Sequence, residues 1–266
     1  MKAIGVIPAR WNASRFEGKV LADISGKPMI QRVWERAREA RTLDDLVIAT
    51  DSEKVIKVAE AFGAKAVYTS KDQPSGTDRI AEVINPLDVE IVVNIQGDEP
   101  LIHYSMIDGL VNMLSEEKTL GMATVIKKVS KEKELLNPNV VKVVIDKDGY
   151  ALYFSRSPIP YVRGENKHHS IFDVHYWFST HSFRPEHQDY YKHLGIYAYT
   201  KDFLFTYTNL PKSKLETAEK LEQLRALESG YKIKTLESEY DTIGVDTPED
   251  LKKVEEILRM NKCIKR

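Results

Sequence analysis

The chain has 266 residues, of which 42% are hydrophobic and 30% are charged. This composition is typical of a globular protein with a sizeable core, built as one large α/β domain or two small ones. Its 39 lysines and arginines nearly balance its 40 aspartates and glutamates, so bulk charge gives no case for a nucleic-acid partner or an anionic membrane surface.

Cysteine usage and hydropathy indicate a compartment. The one cysteine, Cys263, excludes an internal disulfide framework and agrees with a reducing cytoplasm. The first apolar run is broken by Pro8 and Arg10, which is not typical of a signal peptide. Because no apolar stretch of about 18 residues occurs, we expect a cytoplasmic protein without membrane insertion.

The first half of the chain alternates predicted strands and helices. Three β-branched runs that end at polar residues are typical of buried parallel strands: KAIGVIP, DLVIATD and EIVVNIQGDEP. Between them, PMIQRVWERAREA and SEKVIKVAEAFG carry apolar residues at helical spacing, and Gly63 marks the predicted end of the second helix. This order predicts a doubly wound, mostly parallel sheet that binds ligands beyond the carboxyl ends of its strands.

The pattern changes at about residue 121. Three strands are predicted in TVIKKV, NVVKVVID and GYALYFS, with DKDG as a hairpin turn, so we expect an antiparallel insertion that forms a second lobe. Residues 162–192 have no clear period and predict an ordered loop or interface segment. SKLETAEKLEQLRALESG predicts one helix with a capping box of Ser213 and Glu216 and a stop at Gly230. KIKTLES and PEDLKKVEEILRM predict a last strand and a last helix.

The loop PARWNASRFEGK follows the first predicted strand and carries Arg10, Arg15 and Lys19 among small residues. It matches neither the Walker A motif nor the glycine-rich dinucleotide motif. Three cations at the carboxyl end of a sheet suit a polyanion, and small residues let backbone N–H groups approach its oxygens. A solvated basic loop explains the charge alone equally well, but the position beyond the first strand favours a phosphate ligand.

Two aspartates are candidates for a metal site. Asp98 follows the strand in VNIQGDEP, at the same sheet edge as the basic loop, and Mg²⁺ is commonly held by one or two carboxylates plus phosphate oxygens. A turn aspartate is the alternative. In GVDTPEDL, Thr247 and Asp250 form a predicted capping box, which leaves Asp246 as a second metal ligand or as a solvated residue.

Taken together, these stretches and four others resemble the 3-deoxy-manno-octulosonate cytidylyltransferase family. The other stretches are SGTDRIAE, YFSRSPIPYVR, KHLGIYAY and LETAEKLEQLRALESGYKI, and the resemblance runs from Ala3 to about Leu258. It implies a fold of the nucleotide-diphospho-sugar transferase type and a homodimer. The implied reaction is transfer of CMP from CTP to 3-deoxy-D-manno-octulosonate (KDO), with Mg²⁺ and release of pyrophosphate, for lipopolysaccharide biosynthesis.

The resemblance also implies residue roles. Catalytic roles fall to Arg10, Lys19, Asp98 and Asp246, the two aspartates as Mg²⁺ ligands. Nucleotide binding falls to Pro8, Ala9, Arg10, Ser14, Arg15, Lys19, Ser75, Gly76, Thr77 and Arg79. Sugar binding falls to Gln96, Arg156, Arg163, His193, Tyr197, Glu222 and Gln223. The implied organisation is a nucleotide-binding core of residues 1–120 and 200–266, continuous with a sugar-binding and dimerisation lobe of residues 121–199.

Each sugar-site residue has a plainer alternative. Strand alternation puts His193 and Tyr197 on one face with Gly195 between them, as a sugar floor or as core residues around a bulge glycine. Arg156 and Arg163 suit the sugar carboxylate, but surface arginines are common. The helical face with Glu222 and Gln223 binds sugar hydroxyls or is merely solvated.

Five histidines recur every six residues from His169 to His193. A zinc site is one hypothesis, although no cysteine partner and no close histidine pair at helical spacing accompany it. Because aromatics such as Trp177 and Phe183 lie among them, a surface that covers a partner subunit is favoured.

Three classes of function stay open at this level. The first is a cytidylyltransferase for KDO or for a related 2-keto sugar acid of the amino-KDO or sialic acid type. The second is a nucleotide-sugar glycosyltransferase, whose usual Asp-x-Asp is missing from QGDEP. The third is a non-catalytic nucleotide-binding module.

Overall fold

The computed structural model describes residues 1–11, 18–161 and 189–264. The strands are β1 Ala3–Ala9, β2 Asp23–Ile24, β3 Lys27–Pro28, β4 Asp45–Thr50, β5 Lys65–Tyr68, β6 Ile91–Asn94, β7 Met122–Lys128, β8 Lys142–Ile145, β9 Ala151–Ser155, β10 Tyr191–Thr200 and β11 Lys234–Glu237. The helices are α1 Met29–Ala37, α2 Glu53–Ala61, α3 Gly76–Ile84, α4 Tyr104–Glu116, α5 Glu132–Leu136, α6 Lys201–Thr208, α7 Lys214–Glu219, α8 Leu224–Glu228 and α9 Pro248–Ile264. A short 3₁₀ helix spans Lys19–Leu21.

The main sheet has the order β11-β7-β10-β6-β1-β4-β5, and the β8–β9 hairpin joins it by pairing with β10. Strand β1 is parallel to β4 and β6, β4 is parallel to β5, and β11 is parallel to β7. Strand β10 runs antiparallel between β6 and β7. A separate two-stranded antiparallel sheet is formed by β2 and β3. The predicted mixed, mostly parallel α/β fold is confirmed.

Both faces of this sheet are buried, which explains the continuous apolar runs. Ile4 and Val6 of β1 belong to one core cluster, whereas Ala3 and Ile7 belong to the other. Successive side chains of a strand point to opposite faces, so a strand covered on both sides needs apolar residues at every position. Helices α1, α2 and α4 cover one face, and helices α3, α6 and α8 cover the other.

Local signals in the sequence are confirmed where the structure describes them. The backbone at Gly63 and Gly230 has φ angles of 85° and 83°, the left-handed conformation expected after a helix end. Ser213 and Glu216 form the predicted capping box. The predicted strand KIKTLES corresponds to β11, and the last predicted helix corresponds to α9.

The helix predicted over SKLETAEKLEQLRALESG is wrong as a single element. The chain forms α7 and α8, separated by Lys220, whose φ of 55° is left-handed. The physical reason is visible at the break. The Arg156 guanidinium donates to the carbonyl oxygens of Glu219 and Lys220, at 2.7 and 3.5 Å, where a continuous helix would use its own N–H groups.

The predicted second lobe is less separate than its strands suggest. Strands β7 and β10 fall within residues 121–199 and are inner strands of the main sheet, while the β8–β9 hairpin projects from it. Of residues 162–192, the stretch 162–188 lies outside the described residues, and Tyr191 and Lys192 open strand β10 rather than a loop. The proposed division into core and lobe stays a prediction.

No helix in the part of the chain that the structure describes has the length and hydropathy needed to cross a membrane.

Candidate active site

The basic loop leaves β1 at the carboxyl edge of the sheet, where β4 and β6 also end. Its start and end are tied together, because the Gly18 N–H donates to the Trp11 carbonyl oxygen at 3.0 Å. Ser14 and Arg15 lie in residues 12–17, outside the described residues. Their roles at the triphosphate stay predictions, whereas Arg10 and Lys19 are described on either side of them.

Three predicted catalytic side chains meet at this edge. The Lys19 ammonium lies 2.7 Å from Asp98 Oδ2 and 3.0 Å from Asp246 Oδ1. Lys19 is only 8% exposed, and burial by itself lowers its pKa. The two carboxylates outweigh that effect and raise the pKa above its ordinary value. Lys19 is therefore a fixed positive charge shared between two acids that are far apart in sequence.

The backbone brings Asp98 and Asp246 together. The Val245 N–H donates to the Asp98 carbonyl oxygen at 2.9 Å. Gly97 lets the segment before Asp98 approach β1, because a Cβ at that position would lie 2.8 Å from the Pro8 carbonyl oxygen. Asp246 precedes α9, where Thr247 and Asp250 form the capping contacts that the sequence predicts. The Asp246 side chain is thus not needed to cap α9 and contacts Lys19.

The chemistry of this pair fits Mg²⁺. Both residues offer carboxylate oxygens, the hard donors that Mg²⁺ prefers, and the pair already attracts the Lys19 ammonium. Within the described residues, no cluster of three or more His, Cys, Asp or Glu residues forms a metal cage. A cation bound here would complete its coordination with oxygens from outside the protein, as expected for a metal that binds together with phosphates.

Arg79, which is predicted to border the nucleotide, is completely buried. Its guanidinium donates to Asp51 Oδ2 at 3.0 Å and to the Thr69 hydroxyl. Asp51 Oδ1 in turn accepts from the Trp11 N–H at 3.0 Å. Arg79 and Asp51 therefore fix the backbone at Trp11, where the basic loop begins. The position of Asp51, directly after the strand DLVIAT, was the overlooked sequence signal.

Arg10 has an incomplete environment. Burial and the nearby charge of Arg79 lower the pKa of Arg10, and its Nη2 is buried without a hydrogen-bond partner in the described parts of the chain. A buried guanidinium nitrogen that lacks an acceptor and lies near a second cation is unfavourable unless an anion binds. The site is therefore arranged to receive negative charge at Arg10.

The predicted nucleotide residues Ser75, Gly76 and Thr77 begin helix α3 next to β1. Ser75 caps the helix by accepting from the Asp78 N–H at 3.1 Å, and a Cβ at Gly76 would lie 3.5 Å from Pro8. Thr77 is buried at this start of the helix. The start of α3 thus lies next to the end of β1, where Pro8 and Ala9 are.

The predicted sugar floor is assembled on β10. The rings of His193 and Tyr197 lie 5.2 Å apart, and the Gln96 amide donates to the Gly195 carbonyl oxygen at 3.0 Å between them. The register against β7 shifts between Leu194 and Tyr197. The bulge of the plainer interpretation is therefore present, and it places His193, Tyr197 and Gln96 together.

The tautomer of His193 follows from its hydrogen bonds. Burial lowers its pKa to about 3, so the ring is neutral. The Thr124 hydroxyl donates its one proton to the Ile196 carbonyl oxygen at 2.8 Å, and His193 Nε2 lies 2.8 Å from the same hydroxyl oxygen. Because that oxygen must accept, Nε2 carries the proton and Nδ1 is a hydrogen-bond acceptor.

Glu222 and Gln223 lie at the break between α7 and α8 rather than on a solvated helix face. Burial raises the pKa of Glu222. Gln223 is 3% exposed, and its Nε2 has no partner among the residues described. Glu222 and Gln223 point inward because the chain breaks between α7 and α8, which the sequence analysis did not predict.

Arg156 does not lie open for a carboxylate. Its Nε donates to the Glu219 carbonyl oxygen at 2.7 Å and its Nη1 to the Pro138 carbonyl oxygen at 2.9 Å. The structure therefore uses Arg156 to hold the bend between α7 and α8. Arg163 lies outside the described residues.

Glu99 is a neighbour that the sequence did not single out. It is 8% exposed, and burial together with the Asp98 charge raises its pKa to about 7. Its carboxyl lies against Gly195, because a Cβ at that glycine would be 3.2 Å from Glu99 Oε1. Glu99 therefore lies beside the bulge in β10.

Comparison with known proteins relates this geometry to a family. The sequence model described as "Cytidylyltransferase" matches residues 4–233. The 3-deoxy-manno-octulosonate cytidylyltransferase of Geotalea uraniireducens (strain Rf4) is 48% identical over 97% of this chain and 100% of its own. The enzyme of the same name from Thermodesulfovibrio yellowstonii is 47% identical over 97% of this chain and 98% of its own.

A solved structure of CMP:2-keto-3-deoxy-manno-octonic acid synthetase complexed with CTP is 41% identical, with a TM-score of 0.85 over 98% of this chain and 100% of that one. The 4-diphosphocytidyl-2C-methyl-D-erythritol synthase of Anaerococcus prevotii DSM 20548 is 16% identical, with a TM-score of 0.59 over 97% of this chain and 99% of that one, and shares the fold alone. The near full-length identity to enzymes of one name establishes that the chain belongs to the 3-deoxy-manno-octulosonate cytidylyltransferase family.

Proposed function

We propose that the chain transfers CMP from CTP to the anomeric hydroxyl of KDO and releases pyrophosphate, which supplies activated KDO for lipopolysaccharide biosynthesis. Family membership supports the reaction. The observation that carries the proposal for this chain is the convergence of Lys19, Asp98 and Asp246, within 2.7 and 3.0 Å, from segments 79 and 227 residues apart. Chance is a poor explanation for such a cluster at the edge where α/β sheets bind ligands.

In this reaction the oxygen of the anomeric hydroxyl attacks the α-phosphorus. A new P–O bond forms, the bond from the α-phosphorus to pyrophosphate breaks, and the hydroxyl proton is released. Arg10 and Lys19 bind the triphosphate together with Ser14 and Arg15 of the basic loop. The phosphates give the Arg10 guanidinium an acceptor for Nη2, which has none among the described residues. The work of the protein is to orient the reactants and stabilise negative charge.

Asp98 and Asp246 are the proposed ligands of a Mg²⁺ cofactor that binds with the triphosphate. When bound, the ion supplies positive charge to the phosphate oxygens. The same two carboxylates hold the Lys19 ammonium in the structure. The carboxylate pair thereby positions Lys19 against the phosphates.

The sugar is proposed to lie over the bulge in β10. His193 Nδ1 accepts from a sugar hydroxyl, because its tautomer leaves that nitrogen without a proton. Gln96, Tyr197, Glu222 and Gln223 supply further polar groups, and Gln223 Nε2 is a buried donor that an acceptor on the sugar would satisfy. Arg163 is the proposed partner of the sugar carboxylate, since Arg156 is engaged by backbone carbonyls.

The first expected result concerns substrates. We expect pyrophosphate release only when CTP, KDO and Mg²⁺ are all present, because the three make up one charge-balanced site. The measurement is pyrophosphate production from each of the four nucleoside triphosphates, with KDO, with a sialic acid and with no sugar. Turnover with the sialic acid but not with KDO would show that the substrate is a sialic acid and not KDO. CTP binding without turnover on either sugar would favour a non-catalytic module.

The second concerns the carboxylates. Asp98→Ala should lower kcat by at least about 10²-fold, because it removes a charge at the reacting phosphate. Folding should change little, since the substitution removes loop charge rather than core volume. Steady-state kinetics and urea unfolding measure the two effects. Asp88→Ala is the matched control, because the Asp88 side chain is 97% exposed and pairs with Lys2. Near-normal turnover of a folded Asp98→Ala protein would remove Asp98 from the metal role.

The third expected result concerns how the free energy of unfolding depends on pH. The folded chain keeps His193 neutral down to about pH 3, whereas the unfolded chain binds a proton near its ordinary pKa of about 6.5. Acid therefore favours the unfolded state, and stability present above that pKa is lost as the pH falls. Between pH 7.5 and 5.5 the free energy of unfolding should drop by about 1 kcal/mol more in the native protein than in His193→Gln. Urea unfolding at both pH values measures this difference, and equal drops would contradict the neutral buried histidine.

The fourth concerns assembly. We propose a homodimer in the cytoplasm, built on the lobe that contains the β8–β9 hairpin. On this side Leu152 and Tyr161 are exposed by 60% and 67%, and large apolar side chains in the open favour a covered surface. Sedimentation at micromolar concentration should give twice the chain mass of 30.4 kDa. Leu152→Glu should shift the protein towards monomer, with Val67→Glu on the opposite sheet edge as the control. A native protein that sediments as a monomer would exclude the dimer.

A further inference from the structure

The segment of residues 238–247 delivers Asp246 to the site without forming a helix or strand over residues 238–245. Two backbone hydrogen bonds tie its ends: the Ser238 N–H donates to Ile126 O and the Val245 N–H to Asp98 O, both at 2.9 Å. Between these points, no backbone N–H of the segment donates to the backbone of another described segment. Its conformation therefore depends on contacts of side chains.

Lys192 makes the strongest of these contacts. Its ammonium lies 2.7 Å from Asp241 Oδ2 and 2.7 Å from Glu134 Oε1. The Lys192 side chain is only 8% exposed, whereas the Asp241 side chain is 43% exposed and the Glu134 side chain 20%. A buried ammonium needs charged partners at close range, so the lysine fixes both carboxylates against β10.

Other side chains also contact this segment. The His103 ring stacks on Tyr240 with the ring centroids 3.5 Å apart, and Ile243 and Val245 pack in a small apolar cluster. Lys127 donates to the Glu239 carbonyl oxygen at 2.5 Å. Among these contacts, the one from Lys192 joins two charged groups and also reaches helix α5 through Glu134.

We infer that the bridge Glu134–Lys192–Asp241 positions the segment that carries Asp246, which makes Lys192 and Asp241 positioning residues for the reaction. This inference rests on the proposed role of Asp246 in the function above. Lys192 and His193 are consecutive on β10 and point to opposite faces. Strand β10 therefore carries the proposed sugar contact His193 on one face. On its other face it carries Lys192, which binds Asp241 in the segment of residues 238–247.

Hydrogen exchange of the substrate-free protein tests the bracing directly. In Lys192→Met, amides of residues 239–246 should exchange about tenfold faster, while amides of β1 and β6 stay within about twofold of the native protein. Lys192→Arg keeps two charged contacts within reach and should restore slow exchange. The matched control is Lys128→Met on the adjacent strand β7, because the Lys128 side chain is 52% exposed and pairs with Asp189 at the surface.

The link to Asp246 has its own readouts. The Mg²⁺ concentration for half-maximal pyrophosphate release should rise about tenfold in Lys192→Met and in Asp241→Asn, with Lys128→Met unchanged. Binding of Mn²⁺ in the presence of CTP, followed by electron paramagnetic resonance, should weaken in parallel and does not depend on turnover. If Lys192→Met fails to fold, Asp241→Asn is carried through the same measurements, because it keeps an acceptor oxygen for Lys192.

Two outcomes would overturn the inference. The first is unchanged exchange over residues 239–246 in folded Lys192→Met or Asp241→Asn. The second is a uniform rise that includes β1 and β6, which would show general destabilisation only. Failure of the proposed function is separate, because it would appear as normal turnover of Asp246→Asn, whereas the exchange experiment contains neither substrate nor metal.

Discussion

The Lys19 ammonium, held between Asp98 and Asp246, is the interaction on which the site depends. Two carboxylates that contact the same ammonium would repel one another, and the lysine balances their charge. The arrangement requires three segments to end at one sheet edge. Parallel strands provide that edge, because the carboxyl ends of β1, β4 and β6 all lie on it.

Strand β10 adds the second half of the site. It runs antiparallel between β6 and β7, so its bulge at Gly195 comes to lie beside Gln96 and Glu99. A parallel strand at this place would need a crossover connection and would present its residues in the opposite direction. The mixed sheet therefore places the groups proposed for the sugar next to those proposed for the nucleotide.

The three arginines Arg10, Arg79 and Arg156 have different roles because their hydrogen-bond partners differ. Within the described residues, Arg10 Nη2 is buried without a partner, which suits an arriving anion. Arg79 donates to Asp51 and Thr69, although its Nε has no partner there, and Arg156 donates to backbone carbonyls, so both stabilise the protein framework. Residue type and spacing do not distinguish these arginines, since the acceptors that occupy them come from distant segments.

The sequence by itself determined the α/β order, the caps and stops of helices, the family, and the grouping of Lys19, Asp98 and Asp246 at one edge. These follow from short-range patterns of polarity and from motifs. Only the tertiary structure decided the break between α7 and α8, the burial of Arg79 and the ion pairs of Lys192 with Glu134 and Asp241. Each of these depends on hydrogen bonds or ion pairs between segments far apart in the chain, which local periodicity does not encode.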